Sequence, residues 1–245
     1  MKKHRSCLLV FLLLATAVTY GQAQTPPRIN QFVDLAGTIG AAQGAIAGAY
    51  VHNWRIGKKR KWEAGLGLRA TSYFGTKKDF TTAPAKLSRT NTIPFLIVFA
   101  GQKTENWDTL TVQRPLVTSV NLSANFGYNF SQRFAAGFNI DLVGFSFGRK
   151  SSAILTSNAI TRTEPETKVQ AFNVLLTGDL DIGTLNSEFF LKYKLSDHWA
   201  VRAIYQFYFA EYKTTTIKQT APDGTMVDRF RNKVNSLGAG VSYHF

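Results

Sequence analysis

The chain has 245 residues, with 29 Lys and Arg against 15 Asp and Glu, a formal net charge of +14 and a single cysteine. That cysteine stands at position 7, so the rest of the chain can form neither a disulfide framework nor a Cys-ligated metal site. Beyond the N-terminus no apolar run reaches the length of a spanning helix, so any crossing of a membrane falls to strands.

Residues 1–23 read as an export signal. Lys2, Lys3, His4 and Arg5 form a basic start, residues 7–18 are apolar, and the small Gly21 and Ala23 precede Gln24. Cleavage after Ala23 is expected, leaving a mature chain of 24–245 that carries no cysteine. Segment 32–40 is short and segment 44–56, rich in Ala and Gly, alternates weakly; together they make the first predicted hairpin. Segment 62–74 is the third predicted strand. A long connection, 75–115, follows and contains the apolar run 93–100, read here as a loop hairpin standing above the membrane.

The next strand alternates clearly, with Leu122, Ala124, Phe126, Tyr128 and Phe130 set against Asn121, Ser123, Asn125, Gly127 and Asn129. Segment 134–147 is the fifth strand, and a second long connection spans 148–185. Segments 186–195 and 199–212 are the sixth and seventh. A third long connection, 213–228, carries Pro222, Asp223 and Gly224 as a turn. The final strand sets Leu237, Ala239, Val241, Tyr243 and Phe245 against Ser236, Gly238, Gly240, Ser242 and His244.

Short connections at 57–61, 131–133 and 196–198 alternate with the long ones, as expected when one end of a barrel faces the periplasm and the other the exterior. The fold class predicted is therefore all-β, a transmembrane up-and-down antiparallel β-barrel of about eight strands. Ten strands is the alternative, if 93–100 and 169–176 also span. Trp54, Trp62, Phe130, Phe134, Trp199 and Tyr243 flank the short turns as a periplasmic aromatic belt. Tyr73, Phe74, Phe145, Phe147, Tyr208, Phe209 and Tyr212 mark the opposite interface. Opposite to the apolar face, Glu63, Arg69, Asp141, Glu188, Lys192 and Arg202 point inward, where charges of both signs are expected to pair as one connected network in a plugged lumen.

A signal, alternating strands and a terminal Phe245 with Tyr243 two residues before it resemble the small outer-membrane β-barrels of OmpA/OmpX type. The likeness is strongest to porin-like barrel proteins of Bacteroidota. Segment 236–245 resembles the C-terminal motif that barrel assembly machinery reads, through Tyr243 and Phe245, and segment 175–188 is similar to stretches in uncharacterised members. The resemblance implies a bacterial outer-membrane location and no particular activity.

Residues suited to catalysis are sparse. His52, His198 and His244 fall near the short-turn end, and no Ser, His and acid set converges on the outer side, so an enzyme is not expected. Asp179 and Asp181 alternate like calcium ligands but lack the later ligands of a calcium loop, and read as a polar turn at the top of the barrel. No metal or other cofactor is implied. Lys58, Lys59, Arg60 and Lys61 form a basic turn. Lys77, Lys78, Lys86, Arg89, Arg149, Lys150, Arg162 and Lys168 fall in the long loops, where outer-membrane lipid and lipopolysaccharide phosphates are the expected partners and nucleic acid is not. An extracellular ligand would be met by the loops. The expected role is a structural or surface-interaction scaffold. The alternative is a small porin or gated conduit, and a lipid-modifying enzyme is the weakest reading.

Overall fold

The computed structural model describes residues 26–245, except 158, 222 and 223 and the side chain of residue 98. The export segment and the Pro222–Asp223 part of the expected turn lie outside the described residues. The strands in chain order begin with β1 (Ile29–Gly40), β2 (Gln43–Ile56), β3 (Trp62–Gly75), β4 (Lys77–Thr82), β5 (Thr109–Gln113), β6 (Leu116–Asn129) and β7 (Phe134–Gly148). They continue with β8 (Ser151–Ser157), β9 (Ile160–Val169), β10 (Phe172–Val174), β11 (Leu185–Lys194), β12 (Trp199–Thr214), β13 (Gln219–Thr220), β14 (Met226–Val227) and β15 (Arg229–His244). Among the described residues fifteen strands stand where alternation predicts eight, because the segments read as loops form strands of their own.

The long strands pair antiparallel in a closed circuit, β1 to β2, β3, β6, β7, β11, β12, β15 and back to β1. Closure leaves no unpaired edge. Pairs traced once around the circuit start at Gly148 and pass through Val117, Tyr73, Ala45, Thr38, Gly238, Ile204 and Phe190. They return to β7 at Gly137, eleven residues lower, one of which is a bulge. A stagger of this kind is what tilts the strands of a barrel. Once it is allowed for, Trp54, Trp62, Phe134, Trp199 and Tyr243 fall at one level and Phe74, Phe145 and Phe147 at another. Trp62 and Phe74 are twelve residues apart on β3, about 30 Å along the axis at the usual rise and tilt.

The bulge lies at Leu142, where Leu122 pairs with Val143 and Ser123 with Asp141. The extra residue switches the phase of β7, so that Asp141 and Ser146 both face inward while Phe145 and Phe147 face out.

A second circuit stands above the first at the long-loop end. The upper halves of β12 and β15 pair with β9 and β4, and β5 and β8 complete a ring of six. Its inside is apolar, with Phe80, Leu110, Val112, Leu155, Tyr212 and Phe230 packed together. One connection departs from the expected sorting, since β1 and β2 join at this end through a tight turn with Ala42 at φ 55°. Run 93–100 is no hairpin and no spanning strand: residues Leu96–Phe99 form a 3₁₀ turn. That removes one of the two strands the ten-stranded alternative needs.

Candidate functional site in the lumen

Alternation decides what fills the barrel. Along β1, Phe32, Asp34, Ala36 and Thr38 are buried inward while Val33, Leu35 and Ile39 are exposed outward, and the other long strands repeat the pattern. Six inward positions were singled out by sequence, and all six are buried: Glu63, Arg69, Asp141, Glu188, Lys192 and Arg202. They do not form one network.

Four of them join at mid-height. Arg69 binds Asp141 at 2.6 Å and Glu188 at 3.4 Å, and Arg202 binds Glu188 at 2.7 Å. Arg202 also pairs with Asp34, which sequence reading missed. Amides add to the Asp141 and Glu188 carboxylates: Asn121 Nδ2 donates to Asp141 at 2.7 Å, the Asn186 backbone N–H to the same carboxylate at 2.9 Å, and Asn186 Nδ2 to Glu188 at 3.1 Å. Charges removed from water at this depth persist only when paired, and each of these has an opposite charge within ion-pair distance.

Glu63 belongs to a separate cluster nearer the short turns. It accepts from Arg55 at 2.9 Å, Asn30 at 2.8 Å and Asn129 at 2.9 Å. Lys192 stands apart from both: among the described residues no carboxylate lies within ion-pair distance, and its ammonium sits over the Phe32 ring, 3.7 Å from the centroid. Arg55 was missed because it lies at the end of a strand whose alternation is weak. Asp34 was missed because β1 looked too short to carry a functional position.

Between these clusters lie two small cavities of about 30 Å³ and about 10 Å³, each with room for a water or two. Above them Tyr73 and Tyr208 stack at 5.2 Å and Phe80 meets Tyr212 edge-on, joining the lumen to the apolar core of the upper ring. The barrel is filled from charge network to cap.

The loop end carries a second constellation on the outside of the wall. Ala210, Tyr212, Phe230 and Val234 point into the ring, so Glu211, Arg229, Arg231 and Lys233 point out. Glu211 binds Arg231 at 2.6 Å and Arg229 at 2.9 Å. Residues 175–184, inserted between β10 and β11, lie over them. Gly183 N–H donates to Glu211 at 2.9 Å, and Asp179 pairs with Arg89, Arg231 and Lys233. Burial pushes the Asp179 carboxyl up, but hydrogen bonds from Lys233 and Arg89 and the nearby Arg231 charge outweigh it and hold the group below its ordinary range. Asp179 is thus committed to cations of the chain itself. The insert lies on the barrel flank rather than at the top, which corrects the polar-turn reading. Beside it a recess of about 260 Å³ opens between the outer face of β4 and β15 and the β4–β5 connection, lined by Asp79, Thr81, Trp107, Arg231, Asn232 and Lys233 among others.

The three described histidines bond to other groups of the chain. His52 bonds Gln31 at 2.8 Å, His198 bonds the His244 carbonyl at 2.9 Å, and His244 bonds Asn30 at 2.9 Å. Among the described residues no histidine nitrogen bonds a serine hydroxyl.

No family model and no curated protein matches the chain. Among solved structures it is similar to Ail, the attachment invasion locus protein of Yersinia pestis, at 7% identity and TM-score 0.37, over 90% of this chain and 100% of that one. Neisserial surface protein A matches at 10% identity and TM-score 0.33, over 89% and 96%. The Pseudomonas putida toluene transporter TodX matches at 8% identity and TM-score 0.24, over 89% of each chain. Superpositions this loose say nothing of what the chain does.

Proposed function

We propose that the chain is an integral outer-membrane β-barrel, of the OmpA/OmpX-like kind its sequence resembles, acting as a structural or surface-interaction scaffold with a side-chain-filled lumen. One observation carries this: the long-strand circuit is inverted relative to a water-soluble protein. Leu35, Leu68, Leu122, Phe189, Val201 and Leu237 stand exposed around it while Arg69, Asp141, Glu188 and Arg202 are buried within. Exposed apolar surface on this scale calls for an apolar solvent. The two aromatic levels about 30 Å apart match the hydrocarbon thickness of a bilayer.

The filled lumen favours a scaffold over a conduit, and the 260 Å³ recess and the connections around it are the surface offered to an extracellular ligand. Lipopolysaccharide phosphates are the natural partners of the exposed loop cations, and the barrel assembly machinery that of Tyr243 and Phe245. Two measurements test the reading. The mature chain should fractionate with outer membranes, and purified protein in planar bilayers should give no discrete current steps. Recovery from the soluble periplasm would overturn the membrane assignment, and stepwise conductance would overturn the filled lumen.

A further inference from the structure

The β4–β5 connection displays an apolar surface that the filled barrel does not use. Phe95 and Phe99 are 78% and 88% exposed, and Ile93 and Leu96 are more than half exposed beside them. The segment is held firmly in this arrangement. Ile97 is buried and packs close to Gly178 of the flank insert, while Arg89 donates to the Ala100 carbonyl at 2.9 Å and pairs with Asp179. Phe95 takes φ 68°, a left-handed conformation that bulky side chains avoid, so the backbone is strained in the arrangement that presents the ring outward.

Its position gives it a solvent. The insert leaves the wall beside Val143, below Phe145 and Phe147, and Val174 and Ile182 bridge at its base. Leu176, on the same insert, is exposed. With the barrel stagger allowed for, Glu211 falls level with Phe147. The charged cluster on the outer wall therefore sits at the height of the upper aromatic level, where bare charges would face lipid. The insert bonds to that cluster through Gly183 and Asp179 and covers Glu211 and Arg231, and Ile97 packs on the insert beside Gly178, so that Phe95, Phe99 and Leu176 are the side chains left facing outward. Such a cover is sensible only where its outer side meets hydrocarbon.

We infer that Ile93, Phe95, Leu96 and Phe99, together with Leu176, form an apolar flank embedded among the acyl chains of the outer-leaflet lipid, continuous with the barrel's own outward belt. This rests on the membrane reading above. The exterior loop thus contributes a lateral lipid contact as well as a surface for ligands.

The mature chain has no cysteine, so single labels can be placed cleanly. Phe99→Cys, Phe95→Cys, the belt position Leu237→Cys and the exposed loop position Lys150→Cys would each carry an environment-sensitive fluorophore, with the protein reconstituted in phosphatidylcholine vesicles containing shallow spin-labelled lipid. Quenching by that lipid at Phe99→Cys and Phe95→Cys should match Leu237→Cys, with iodide quenching far below that at Lys150→Cys. Iodide quenching at both Phe positions like that at Lys150→Cys, while Leu237→Cys remains lipid-quenched, overturns the flank contact alone. Iodide access at Leu237→Cys as well would overturn the membrane reading with it. Both Phe side chains are exposed, so their replacement leaves the core intact.

Discussion

Arg69 shows how much one buried group can carry. It bonds Asp141 and Glu188 and donates to the Asn186 carbonyl, so its loss leaves two carboxylates short of a partner in a nearly dry lumen. Arg69→Met should cost roughly 3–5 kcal/mol, because an uncompensated buried charge is far worse than an absent pair. Adding Asp141→Leu should recover much of that loss, which urea titration of the refolded protein in micelles would reveal; equal or greater loss in the double variant would refute the account. Glu164, outside the long-strand circuit, tests the same physics by pH. Burial raises its carboxyl, but Ile217 N–H at 2.8 Å, the Thr215 hydroxyl at 3.0 Å and the Thr216 N–H at 3.2 Å outweigh that and hold the group below the ordinary glutamate range. A folded value lower than the unfolded one means the stabilisation is full above about pH 4.5 and disappears as pH falls through the folded value. Glu164→Gln, which turns an amide N–H toward backbone donors, should weaken the site by about 2 kcal/mol at neutral pH. Amide exchange at Thr216 and Ile217 would report it, and unchanged protection would count against the assignment.

At the level of elements, the upper ring is a small unit with its own core. Phe80 is fully buried among Leu110, Tyr212 and Phe230, so Phe80→Ala should cost about 3–5 kcal/mol, borne by that ring. Protease added to intact vesicles should then cut the β4–β5 or β8–β9 region while the long-strand circuit keeps its resistance; loss of both together would show that the two circuits melt as one. This ring is also what the sequence concealed. Most of the long strands were legible because they alternate apolar with polar, as β6 and the last half of β15 do, whereas the first hairpin alternates only weakly. β9 reads Ile-Thr-Arg-Thr-Glu-Pro-Glu-Thr-Lys-Val, with almost no apolar face, and becomes a strand only because β8 and β12 supply partners. The flank insert was hidden for a related reason: Asp179 looks like a turn residue until Arg89 arrives from the β4–β5 connection and Arg231 and Lys233 from β15. Of the lumen, the buried positions were visible from phase, whereas the division into two clusters depends on height along the barrel. That height is set by stagger, which alternation alone does not encode.

For the whole molecule, the inverted distribution of polarity makes a prediction whose sign separates the two solvents. Leu68 lies outward near the middle of β3, between the aromatic levels at Trp62 and Phe74, and is more than half exposed. In water, replacing an exposed leucine by arginine on a strand is close to neutral, since the new charge is fully hydrated. In a bilayer the same position is near the midplane, and the guanidinium must either shed its water or drag water and headgroups inward, at about 2–4 kcal/mol. Leu68→Arg should therefore destabilise the protein by that amount in lipid vesicles, while Lys61→Leu, at the short turns, should change little. The comparison needs no knowledge of ligand or partner, because it asks only which solvent touches the outward face. A neutral Leu68→Arg would mean water touches that face, and the exposed apolar residues of all eight long strands would then need another cover.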